Sequence, residues 1–207
     1  MIPGPPLFVS CPFCNEEKEL SSLMSGNTFD AKFWSDAYQD TPSMPRNSFI
    51  QKCEHCGKYF ILNRKNVKHR YADEGFSFGI TGRLSFSETK EAFAQISAEG
   101  FESEEEEISV RIVLLHSFNH YYHRGEEGIP AELTPDDWAL FVENAKWLIS
   151  SSVDTLFKAE CCREIGDFDG ALAFLHSLPT DNDALNGIID QIRKKVQAKE
   201  NGVFMFE

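Results

Sequence analysis

The chain has 207 residues, 42% hydrophobic and 26% charged, with 20 Lys and Arg against 33 Asp and Glu, for a net charge of −13. That apolar content, with 18 Phe and 3 Trp, excludes a disordered chain and fits one ordinary domain plus a small appendage. No run of about 18 apolar residues occurs, which excludes a membrane-spanning helix.

The start, Met1-Ile2-Pro3-Gly4-Pro5-Pro6, has neither the basic nor the apolar stretch of a signal peptide. A cytoplasmic protein is therefore expected, in which six cysteines read as metal ligands or buried thiols rather than disulfides. Charge is unevenly placed: residues 1–70 hold nine Lys and Arg against seven Asp and Glu, and the remainder eleven against twenty-six. The C-terminal two-thirds would repel a phosphate backbone, so nucleic acid is not the expected partner over most of the surface.

The first local signal is Leu7-Phe8-Val9, a short strand that runs into Cys11-Pro12-Phe13-Cys14. A second pair, Cys53-Glu54-His55-Cys56, follows 38 residues later, between Phe49-Ile50-Gln51-Lys52 and Lys58-Tyr59-Phe60-Ile61-Leu62. Two thiolates three positions apart in a tight turn bind one metal ion at about 2.3 Å, and two such turns close a tetrahedron. Gly57 and Asn15, each one residue past its knuckle, are the types that tolerate the positive φ needed to leave the turn. Cys11, Cys14, Cys53 and Cys56 are thus expected to hold a structural Zn2+. An iron–sulfur centre or rubredoxin-like iron site is the alternative that spacing leaves open, and a thioredoxin-like redox pair lacks its βαβ context. His55 is a further possible ligand, but with four cysteines present it reads as a turn residue.

Between the knuckles, Phe29, Phe33 and Trp34 form a dense aromatic set before the helix-breaking Pro42 and Pro45. The expectation is that they cover the small core of a metal-centred module; a peptide- or base-stacking platform is the functional alternative. After the second knuckle, Arg64, Lys65, Lys68, His69 and Arg70 form a basic cluster that reads as a solvated loop or, alternatively, a nucleic-acid contact. Gly75, Gly79 and Gly82 lack the Lys and Ser/Thr of a phosphate loop and read as a linker.

Helical periods then take over. Ser85-Phe86-Ser87-Glu88 is a capping box ahead of Ala92, Phe93 and Ile96, with Gly100 as the stop. Ser103 and four acids, Glu104–Glu107, open a helix carrying Ile108, Ile112, Leu115 and Phe118. If it continues, His116, His120 and His123 share a face at i, i+4 and i+7 and form a possible second metal site. The acid that metalloproteases place between such ligands is missing. Thr134-Pro135-Asp136-Asp137 starts a helix with Trp138, Phe141, Val142, Ala145 and Leu148 as its expected buried stripe. Helices over Val153–Ile165 and Asp169–Ser177 meet at Gly166-Asp167, and Asn182–Lys199 is the last. Cys161 and Cys162, about 100° apart on a helix, read as small, partly buried hydrophobes.

Two stretches resemble known families. The knuckles look like a zinc ribbon. Residues 153–179, with Ala159, Gly166-Asp167-Phe168, Ala171, Leu175, Leu178 and Pro179, resemble one tetratricopeptide repeat, whose usual length is about 34 residues. Lys158, where a Leu is usual, and the early Pro179 depart from that pattern. Together with the insertion, these features resemble an uncharacterised bacterial protein family, which implies a fold but no activity.

The expected fold is α+β. A zinc-ribbon-like domain with an insertion spans residues 1–70, and an α-helical domain ending in a tetratricopeptide-like helix pair spans 71–207. The expected function is non-enzymatic: a zinc-binding module whose helical part binds or orients a protein partner, with an acidic face that favours basic ligands. The alternatives are nucleic-acid binding through Arg64–Arg70 and a metal-dependent enzyme using His116, His120 and His123.

Overall fold

A computed structural model of the chain describes residues 2–41, 48–63, 65–68, 84–123, 133–179 and 181–207. Short antiparallel strands occupy the first third and helices the rest, giving an α+β fold with a helical C-terminal part. Among the described residues, no helix is long and apolar enough to cross a membrane.

The strands are β1 (Ile2–Pro3), β2 (Leu7–Ser10), β3 (Glu17–Leu20), β4 (Leu23–Ser25), β5 (Lys32–Phe33), β6 (Gln39–Asp40), β7 (Ile50–Lys52), β8 (Tyr59–Ile61) and β9 (Val67–Lys68). They form a three-stranded sheet ordered β3-β2-β9 and the two-stranded pairs β1-β4, β5-β6 and β7-β8. The helices are α1 (Phe86–Glu99), α2 (Glu104–Phe118), α3 (His120–His123), α4 (Pro135–Ser150), α5 (Thr155–Glu164), α6 (Phe168–Ser177) and α7 (Asp183–Gln197).

The chain makes two compact units, Met1–Ala31 with Asp40–Ser117 and Lys32–Gln39 with Phe118–Glu207. This differs from a division at residue 70, a position that itself lies outside the described residues. The reason lies in β7 and β8. Their Ile50, Tyr59 and Ile61 form one core with Ala92 and Ile96 of α1 and Val110 and Val113 of α2, so the first two helices belong to the strand-bearing unit. A second core in that unit gathers Leu7, Val9, Leu20, Phe60 and Leu62 around Cys11 and Cys53.

Helix starts follow local chemistry. Ser85 accepts from the Glu88 amide while Glu88 reaches back, and Thr134 and Asp137 repeat the reciprocal pair at α4. Gly100 at φ 88° ends α1 and Gly166 at φ 82° turns the chain out of α5. In the second unit, α5, α6 and α7 bury Ala159, Cys162, Ala171, Leu175, Ile189, Ile192 and Val196 together. Cys161 and Cys162 are both fully buried, more deeply than the partial burial expected.

Two burial expectations are corrected. Trp138 is 42% exposed, stacked on Phe141, because the inner stripe of α4 uses Phe141, Asn144, Ala145 and Leu148 instead. Phe29 is 96% exposed and Phe33 53%, so neither covers a core, and Trp34 is buried in the second unit rather than over the ribbon.

Candidate metal centre and a buried polar network

The two knuckles are built alike. In the first, the Asn15 amide donates to the Cys11 carbonyl at 2.9 Å and the Cys11 amide donates to Glu16 at 2.8 Å. In the second, the Gly57 amide donates to Cys53 at 2.8 Å and the Cys53 amide to Lys58 at 2.9 Å. Asn15 at φ 61° and Gly57 at φ 74° supply the positive φ that each exit requires. Lys58 also lies 4.3 Å from the Phe13 ring centre, a cation–π contact between the two turns.

Folding brings the turns face to face. The Sγ atoms of Cys11 and Cys56 are 3.7 Å apart, those of Cys14 and Cys53 3.6 Å, and all four lie within 4.8 Å of one another. A tetrahedral ion with sulfur ligands at about 2.3 Å needs ligand separations of about 3.8 Å, so the four sulfurs fit a single ion.

The thiols respond to this crowding. The Cys56 and His55 amides stabilise a thiolate at Cys53 and hold its pKa down to about 6. Cys14 accepts from the Glu16 amide, which favours its thiolate, yet desolvation and the other three sulfurs push it up to about 12. At Cys56 the Lys58 amide likewise favours the thiolate, but burial and the sulfurs of Cys53 and Cys11 win and raise it. Four sulfurs this close cannot all carry charge alone, and a divalent cation removes the conflict. The donor set therefore fits a metal ion and leaves no open coordination position.

The histidine triplet does not behave as one face. Helix α2 stops at Phe118, and Asn119 separates it from the short α3, so the helical phase linking His116 to His120 and His123 is interrupted. His116 is buried, His120 is exposed, and His123 faces Asp36. Among the described residues, the four cysteines are the only group of three or more metal-binding side chains within reach of one ion. Of the basic cluster, Lys65 pairs with Glu102 and Lys68 with Glu17, while Arg64, His69 and Arg70 lie outside the described residues, as do the three linker glycines.

The sequence reading missed a buried polar network in the second unit. A turn with Ala37 at φ 62° puts Asp36 fully inside, where its Oδ2 accepts from His123 Nε2 at 2.8 Å and from Asn119 Nδ2 at 3.0 Å. Asn119 Nδ2 also donates to Glu164 Oε2 at 2.7 Å. Tyr38 stacks on His123 with ring centres 3.9 Å apart, and Trp34 meets the same ring edge-on at 5.3 Å. Beside them Arg163, fully buried, forks onto Glu160 and donates to the Glu200 and Gly202 carbonyls. Desolvation first, then the charges of Glu160 and Asp36, raises the Glu164 carboxyl well above its usual range. Backbone bonds close the turn: the Ser35 amide donates to Phe204 at 2.8 Å and the Phe206 amide to Phe33 at 2.9 Å.

Comparison with known proteins returns no match of any kind, whether to a family model, a curated protein or a solved structure.

Proposed function

We propose that the chain is a non-enzymatic, zinc-stabilised interaction module that holds a protein partner. The convergence of Cys11, Cys14, Cys53 and Cys56 on one point carries this reading. Four sulfur ligands satisfy a tetrahedral ion completely, so the metal supplies folding free energy and not a reactive position. Zinc is favoured over iron by the prevalence of four-cysteine structural zinc. A reducing compartment such as the cytoplasm suits four free thiols.

A protein partner is favoured over nucleic acid by charge. The described lysines of the basic segment, Lys65 and Lys68, are each engaged by a carboxylate, and the chain as a whole carries −13. The α5–α6 hairpin and α7 pack around small residues at Ala159 and Ala171, in keeping with the tetratricopeptide resemblance of residues 153–179. A single hairpin of that kind builds no concave groove, so the partner surface lies on the ribbon.

Elemental analysis of protein purified without added metal tests the reading. One equivalent of zinc per chain is expected, lost in the Cys14→Ser and Cys56→Ser variants together with folding of the ribbon. A metal-free, fully folded protein would overturn it.

A further inference from the structure

We propose that the groove running along β3 takes an extended basic segment of a protein partner, seating an arginine side chain beside the second knuckle. This rests on the reading of the ribbon as a metal-stabilised interaction module. Three observations within the first unit carry it.

The first is the cavity. About 520 Å³ of space is floored by the buried Val9 and Phe60 and lined by every residue from Glu16 to Glu19, by Glu54, and by Lys52, whose ammonium Glu88 already engages. A floor of that kind suits the aliphatic stem of an arginine, and the rim suits its guanidinium.

The second is charge. Glu17 is engaged by Lys68, whereas Glu16 and Glu19 have no ion-pair partner among the described residues. Glu54 takes the Lys18 ammonium at 3.3 Å, with side chains 47% and 86% exposed. That solvated pair shows that a cation reaches this rim, and such a pair exchanges at little cost. A divalent ion on four thiolates would leave two further negative charges behind Cys11 and Cys53, which also line the space.

The third is backbone. Among the described residues, β3 is the edge of the sheet ordered β3-β2-β9, paired with β2 alone. An incoming strand can add to that edge and point alternate side chains along the cavity. The exposed Glu17, Lys18 and Glu19 guard the edge against indiscriminate pairing and leave it selective for a basic strand.

The test uses the full metal-loaded chain and a fluorescein-labelled hexapeptide of alternating leucine and arginine, read by anisotropy at low salt. Binding is expected for this peptide, and not for alternating leucine and glutamate or a labelled single-stranded oligonucleotide. An arginine–serine peptide of equal charge should bind more weakly, because it cannot use the apolar floor. Glu16→Gln with Glu19→Gln should weaken binding roughly fivefold, the factor two exposed ion pairs supply. The pair Glu143→Gln with Asp181→Asn, neither of which lines the cavity, should leave it unchanged. Equal weakening by both double variants, or equal binding of the serine peptide, would reduce the effect to bulk charge and overturn the proposal. Failure of the leucine–arginine peptide with one equivalent of zinc present overturns this docking site alone. Absence of metal from the folded protein overturns the module reading and the docking site together.

Discussion

Replacing Asp36 by alanine should be among the most destabilising single changes in the second unit. The carboxylate is fully buried and accepts from His123 Nε2, Asn119 Nδ2 and the Tyr38 amide. Alanine removes all three acceptor contacts and puts no polar atom in their place. The His123 side chain is 2% exposed and Asn119 is buried, so neither group regains water without local opening. Stranding a buried donor costs about 1–3 kcal/mol, so two of them imply about 4 kcal/mol. Urea denaturation followed by far-ultraviolet circular dichroism reports the helices. With an m-value near about 2 kcal/mol/M, the transition should move down by about 2 M. Asp36→Asn keeps the volume and one acceptor and should cost about half as much. Glu143→Ala, at an exposed position of α4, should stay within about 0.5 kcal/mol of the parent. A midpoint for Asp36→Ala within about 0.5 M of the parent would refute the claim that this carboxylate holds the network together.

Other consequences can be checked separately. Because the folded state raises the Glu164 pKa above its unfolded value, this group's contribution to stability is present below that unfolded value and is lost as pH rises through the folded one. Glu164→Gln, which removes the titrating group at nearly constant shape, should therefore flatten the decline of stability towards alkaline pH; an unchanged pH profile in denaturant melts would contradict a raised Glu164 pKa. Metal uptake at neutral pH should release at least two protons, from Cys14 and Cys56, as measured by the buffer dependence of calorimetric enthalpy. Gly57→Ala meets no atom within 4 Å, so its cost is conformational only, about 1–2 kcal/mol from the positive φ, and should appear as weaker metal retention in a chelator competition. Arg163→Met should leave Glu160 buried without its cation and cost more than about 3 kcal/mol in the same urea assay.

The metal centre was legible because its signals are local. Two pairs of cysteines at fixed spacing, each followed by a residue suited to positive φ, specify a turn whatever surrounds them, and Asn15 and Gly57 adopt that geometry. The caps at Ser85 and Thr134 are equally short-range. What failed depended on distant partners. The strands β1, β4, β5 and β6 have two or three residues each, too few to show alternation. The periodicity from Ile108 to His123 gave no warning that the helix stops at Phe118, because apolar spacing continues past it. Glu160, Arg163 and Glu164 sit at i, i+3 and i+4, the usual pattern of a solvated, salt-bridged helix face. Only Asp36, Asn119 and the C-terminal carbonyls, supplied from elsewhere in the chain, turn that face inward. Trp34 reads as part of an aromatic set with Phe29 and Phe33, but nothing in its own neighbourhood names His123 as its destination.

Because the polypeptide leaves the strand-bearing unit at Ala31, contributes Lys32–Gln39 to the helical one and returns at Asp40, no single cut yields two self-sufficient fragments. Expression of residues 118–207 alone would supply His123 and Asn119 with no carboxylate from Asp36. Residues 1–117 alone would keep all four cysteines but carry Trp34 and Asp36 with nothing to receive them. Dissection of this protein calls for grafting a linker across the eight-residue excursion and supplying the excised peptide in trans, in the manner of a split reporter.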